Sequence, residues 1–236
     1  MAFEDVGFEG LLNGTSALGV LITSVLIGVY ILIKGIRLKA KLLQYAGIMI
    51  IFIGLLWLGP STDFLMLLFT GANISPQEIY AYLSYLWVAP AIFIAMLIGT
   101  ELIAPNKKKA ILIFIGIVGI IFEIGLIFFP FEGQTFEYEI GAKNIIDTSF
   151  NPLFFSFYAL AIILIFVVIF NGFGSIQKAR ESTGILRKKF IFLALGFIIF
   201  PIAAVFDTLI PPGPALPFVR ITVVITGILL YLGLKP

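Results

Sequence analysis

Glu123, Asp207, Arg220, Tyr85 and Tyr158 are the side chains of a mostly apolar sequence best placed to do chemistry. Glu123 lies in the run IIFEIGLIFF, with hydrocarbon on both sides. A carboxyl in such a run is costly, and it is a functional candidate unless it is neutral or reaches outward to the headgroups. Asp207 and Arg220 flank the turn Pro211-Pro212-Gly213-Pro214. Each sits at the helix end that its charge disfavours, so pairing with the other would offset that cost. Such a pair either pins two helices together or shares Arg220 with an anionic ligand. Tyr85 lies deeper than Tyr80 and Tyr82, which read as an interface belt. Tyr158 shares a helix face with Phe154 by its i,i+4 spacing. Together the five side chains predict a ligand pocket in the outer half of a helix bundle.

Other chemistry is excluded by what is missing. The chain has no cysteine and no histidine. Disulfide frameworks, thiolate nucleophiles and thiolate zinc sites therefore drop out. So do haem ligation by histidine, imidazole metal sites and the Ser–His or Cys–His pairs of nucleophilic catalysis. No nucleophile motif, metal cluster or phosphate loop accompanies Glu123 and Asp207, so no enzyme and no cofactor are expected.

The elements that hold these residues must be membrane helices. Of the 236 residues, 61% are hydrophobic and only 12% charged, and the mean hydropathy is +1.15. Soluble domains carry about 25% charged residues. A span needs about 20 apolar residues, and seven segments qualify, at about 12–33, 42–59, 79–103, 110–129, 153–170, 190–210 and 218–234. The gapless runs are unlike alternating barrel strands, which predicts an all-α seven-transmembrane helix bundle with no visible domain boundary. The stretch Phe64–Thr70 is too short to span. It reads as an extension of the second helix or as an interfacial helix, in preference to a re-entrant loop. Pro90 and Pro201 fall mid-span, and each permits a kink. Gly47, Gly54, Gly116 and Gly119 are expected at close helix contacts.

The basic residues give the orientation. All except Lys143 and Arg220 fall on one side, in the loops after the first, third and fifth spans and at Lys235. By the positive-inside rule that side is the cytoplasm, with the N-terminus outside and the C-terminus inside a cell membrane. The acidic start MAFEDVGFEG has no basic n-region and reads as a translocated tail ahead of a retained first helix. The segment 171–189, with Gly172, Gly174 and Gly184, reads as a mobile inner loop and a possible docking place for a cytoplasmic signalling partner, around Ser175–Gly184. The basic triplets on this side meet anionic headgroups. The alternation in Phe136-Glu137-Tyr138-Glu139-Ile140 before Gly141-Ala142 fits either a small outer hairpin or a plain loop.

The last third, Arg187-Lys188-Lys189 followed by FIFLALGFIIFPIAAVFDTLI, the proline-rich turn and the ending LLYLGLKP, resembles the N-terminal seven-helix sensor region of some bacterial and archaeal histidine kinases. The resemblance covers residues 187–236 and the seven-span layout. It implies sensing of a ligand or of the membrane state, with the signal passed inward. The chain ends two residues after the last span, so a kinase domain is not expected and output would run through a partner. No binding residue carries over from that family. A covalent retinal pigment is not expected, because the seventh span offers only Arg220 at its mouth and Lys235 at its exit. The competing expectation is a small-solute transporter of three helices, a linker helix and three helices. Its repeats should place kinks at equivalent positions, yet Pro90 and Pro201 have no mid-span counterparts in that scheme. A lipid-packing subunit without a ligand is the third class.

Overall fold

A computed structural model describes residues 6–137, 144–210 and 213–236. Helix α1 runs Phe8–Arg37 and turns through Lys39, whose φ is 52°, into α2, Lys41–Leu55. The seam between them is made of small residues. A Cβ on Gly47 would stand 2.5 Å from the Leu32 amide nitrogen, so only glycine lets the two backbones approach this closely. Gly54 meets Ser24 in the same seam. After α2 the chain bends by 42° and continues as α3, Leu58–Thr70. The Phe64–Thr70 stretch thus belongs to a helix that follows the bend after α2, and the expected end of the span at residue 59 gives way to a restart at Leu58.

The next span is interrupted at a like sequence without so sharp a bend, and Glu78–Ile103 counts as one helix of crossing length. Helix α4, Glu78–Tyr85, stops one turn before α5, Val88–Ile103. The two breaks fall in matching sequences, Leu56-Trp57-Leu58-Gly59-Pro60 and Leu86-Trp87-Val88-Ala89-Pro90. Proline has no N–H and clashes with the carbonyl four residues back. That residue is Leu56 in one case and Leu86 in the other, which is where each helix opens. The halves pack in register, since the position of a Cβ on Gly59 is already taken by the Ser84 hydroxyl and the Tyr80 carbonyl.

Helix α6 runs Lys108–Phe128 and a short turn, α7, Pro130–Gly133. Strands β1, Gln134–Glu137, and β2, Asp147–Phe150, pair antiparallel with Gln134 opposite Phe150. The segment 130–151 therefore does carry a hairpin, although its expected turn at Gly141-Ala142 lies outside the described residues. Helix α8, Phe155–Phe166, passes through a π-helical stretch, Val167–Phe173, into α9, Gly174–Glu181. Helices α10, Gly184–Leu209, and α11, Leu216–Leu234, complete the bundle.

The segment 171–189 is helical but for Ser182-Thr183, which corrects the expected mobile loop. Gly172 and Gly174 serve contact, whereas Gly184 takes a φ of 60° with no neighbour within 4 Å. Gly174 packs on Ile103, and a side chain at Gly99 would collide with the Asn171 amide, whose Nδ2 donates to the Ala95 carbonyl at 2.8 Å. Pro201 does not interrupt α10.

Among the described residues six helices are long and apolar enough to cross a membrane, and the bent pair α2–α3 passes the same test together. Their outward faces are hydrocarbon. On α6, Ile113, Ile117, Ile120 and Ile124 are all exposed, a stripe that water would not tolerate and lipid would. These features are compatible with a multi-pass membrane protein.

Candidate functional site

The polar centre of the bundle is Arg220. It sits in the second turn of α11 and is 4% exposed. Its Nε donates to Asp207 Oδ1 at 3.0 Å. Its Nη1 donates to the Asn13 carbonyl at 2.6 Å and to Ser16 Oγ at 2.7 Å. One guanidinium thus ties α11 to α10 and to the first turns of α1. The planar fork suits this, because it satisfies several acceptors at once. The indole of Trp57, in the broken turn of α2–α3, lies beside Asp207. Asn13 Oδ1 is buried there without a partner.

The hairpin covers this centre. The Tyr85 hydroxyl is shared with Thr148 Oγ1 at 2.7 Å, and its ring meets Phe150 edge-on at 4.8 Å. Asp147 and Asp207 are both close enough to act electrostatically on Tyr85. Asp147 opens to solvent at its surface but is crowded on its inner side. Loss of water holds its carboxyl above the usual range, and the nearby charges of Glu137 and Asp207 add to this.

Asp63, which the sequence reading left unassigned, anchors the cover. It is fully buried and accepts from the Ile74 amide at 2.6 Å, the Ile146 amide at 2.8 Å and Asn73 Nδ2 at 2.9 Å. Asn73 also donates to the Asn144 carbonyl at 3.0 Å. One carboxylate therefore joins α3, the 71–77 connection and the strand entering β2. The sequence signal was weaker than for Glu123, because Asp63 follows Pro60-Ser61-Thr62 and has apolar residues on one side only. Tyr80 is 4% exposed in a small cluster with Ile74 and Ile146, not in an interface belt. Tyr82 lies at the surface and donates to the Ile127 carbonyl at 3.1 Å.

Of the expected site residues, Tyr85, Asp207 and Arg220 come together. Glu123 stands apart, with both carboxyl oxygens buried and the Ala89 amide at the start of α5 facing it. Tyr158 is 54% exposed on the outer face of α8 and joins neither group. Helical periodicity pairs Phe154 with Tyr158 but does not say which way that face turns.

A partly open pocket lies elsewhere. A cavity of ≈ 20 Å³ at the middle of the bundle is lined by Ile53, Ala91, Val167, Phe197, Pro201 and other apolar groups. Among the described residues no group of three or more acidic, histidine or cysteine side chains is placed to hold a metal. No family model matches the chain, and neither a curated protein nor a solved structure matches it.

Proposed function

We propose that the chain is a receptor-like sensor of the cell membrane, with seven passes when the bent pair α2–α3 counts as one. The N-terminus is outside and the C-terminus inside, and the protein binds a ligand without catalysis. The observation that carries the reading is the Arg220 node. It is buried, it lies under a hairpin, and it joins the first helix to the last two. A ligand with a carboxylate or phosphate would compete with Asp207 for the guanidinium. Asp207 would retain the Trp57 indole, and α11 would lose its tie to α1. Eleven residues further along α11, roughly 16 Å, Tyr231 accepts a hydrogen bond from Lys34 of α1. One straight helix thus links the outer node to a second α1 contact at the opposite end. Differential affinity for the tied and released states is all that a signal needs. The output surface is α9 and the start of α10, where a cytoplasmic partner would dock in place of the expected loop 171–189. The resemblance of residues 187–236 to kinase sensor regions agrees with this reading.

A small-solute transporter is the second reading, and the paired helix breaks favour it. Discontinuous helices commonly build transport sites near the bilayer middle. Purified protein in proteoliposomes separates the two. Thermal stabilisation by small carboxylates or phosphate esters, lost in Arg220→Gln and without solute flux, is the expected result. Saturable uptake abolished by Glu123→Ala would sink the receptor reading.

A further inference from the structure

At the far end of α11 from Arg220, a lysine is held where two tyrosines meet. Lys34, half-buried near the end of α1, donates to the Tyr231 hydroxyl of α11. Its Nζ lies 5.6 Å from the centre of the Tyr30 ring and 5.1 Å from that of the Tyr231 ring. At such distances a cation is attracted to an aromatic face. The two rings meet edge-on at 6.2 Å. The ammonium carries three donors and the Tyr231 hydroxyl keeps its own hydrogen, so donors remain beyond the one bond between α1 and α11. Among the described residues no carboxylate pairs with Lys34. Arg37, one turn on along α1, and Lys235, one turn on along α11, are exposed and add positive charge at the same end.

Toward the middle of the bundle the adjoining surface is hydrocarbon. Leu26 lies one turn before Tyr30 on the same face of α1, and the two are 64% and 57% exposed. Ile228 lies one turn before Tyr231 on α11 and is 44% exposed. A cationic, hydrogen-bonding cluster at the foot of an exposed apolar stripe matches a molecule with an anionic head and an acyl tail.

We propose that Lys34, Tyr30 and Tyr231 form a binding site for the phosphate of an anionic phospholipid, which bridges α1 and α11. Phosphate oxygens accept from the Lys34 ammonium and from the Tyr231 hydroxyl. Arg37 and Lys235 supply a field that favours a head of net negative charge, and an acyl chain lies along Leu26 and Ile228. An aromatic corner of this kind can receive a choline cation. Here Lys34 already fills it, so a phosphatidylcholine head is disfavoured. The site shares no side chain with the Arg220 node, so its failure and that of the receptor reading are told apart.

Purified protein in detergent micelles is titrated with phosphatidylglycerol and, separately, with phosphatidylcholine of the same acyl chains. Bound lipid is counted by native mass spectrometry. Phosphatidylglycerol should be retained in preference. K34Q should weaken its retention about fivefold, the worth of one basic residue at an anionic lipid surface, and leave phosphatidylcholine unchanged. K109Q, which removes a basic residue outside the cluster, should keep the preference. Equal retention of the two lipids, a preference that survives K34Q, or an equal loss in K109Q overturns the proposal. So does displacement of bound phosphatidylglycerol by an equal concentration of inorganic phosphate, which would make a free anion the occupant. Should K34Q fail to fold, Y231F must show the same selective loss, and unchanged retention in Y231F overturns the proposal equally.

Discussion

Arg220 shows what a single side chain costs and contributes inside this bundle. Its side chain is 5% exposed and that of Asp207 16%, so neither charge is well hydrated. Removing one partner leaves the other buried and unpaired, at a cost of about 3–5 kcal/mol, whereas replacing both by apolar residues is often close to neutral. Arg220→Leu should therefore destabilise by about that amount. The double variant Arg220→Leu/Asp207→Leu should recover most of the loss in a double-mutant cycle followed by unfolding in mixed micelles. Additive losses would show that the tie to Asn13 and Ser16, not the ion pair, carries the energy. The Asp207–Arg220 pair was legible because both charges sit at unfavourable helix ends on either side of a short turn. The α1 acceptors were not legible, since a backbone carbonyl and a serine carry no mark of the helix they will face. Asp63 was not legible by the rule applied to Glu123, because Gly59-Pro60-Ser61-Thr62 before it reads as the end of a span.

At the scale of elements, proline spacing explains more than proline presence. Pro60 and Pro90 each follow Leu-Trp-x-x and each opens its helix, while Pro201 lies in an α10 that stays continuous. The glycines of 171–189 suggested mobility, but Gly172 and Gly174 instead let a helix approach Ile198 and Ile103. The hairpin carries a pH dependence of its own. The Asp147 carboxyl is held above its unfolded value, first by loss of water and then by neighbouring acids. Its contribution to stability is therefore fully present below the unfolded value of about 3.9 and is lost as pH rises through the raised folded value. Hairpin amides such as those of Thr148 and Ser149 should exchange hydrogen more slowly, relative to intrinsic rates, in mild acid than at neutral pH. Asp147→Asn should abolish that difference and slow exchange at neutral pH. If protection is the same at both values in the wild type, the crowding of Asp147 has no energetic consequence.

For the whole molecule, the arrangement of spans across a bilayer is the testable statement. The sequence has no native cysteine, so single cysteines introduced at Ser149 and at Gln177 can be labelled without background. An impermeant thiol reagent should reach Ser149→Cys in intact cells and Gln177→Cys only after the membrane is opened. The reverse pattern would invert the orientation and place the Arg220 node on the cytoplasmic face.

Hydrocarbon length and basic-residue asymmetry are properties of a linear string, because each span meets lipid whatever its neighbours are. They are why the all-α reading and the approximate spans followed from sequence. Rotation of each helix about its axis is different. It is settled by which small residues let two backbones meet, as at Gly47 on Leu32, and by which donors find acceptors across the bundle, as Arg220 finds Asn13. Only the folded chain decides that Tyr158 faces outward, that Glu123 faces the start of α5 and that Tyr85 lies under a hairpin, because those outcomes depend on packing between segments far apart in sequence.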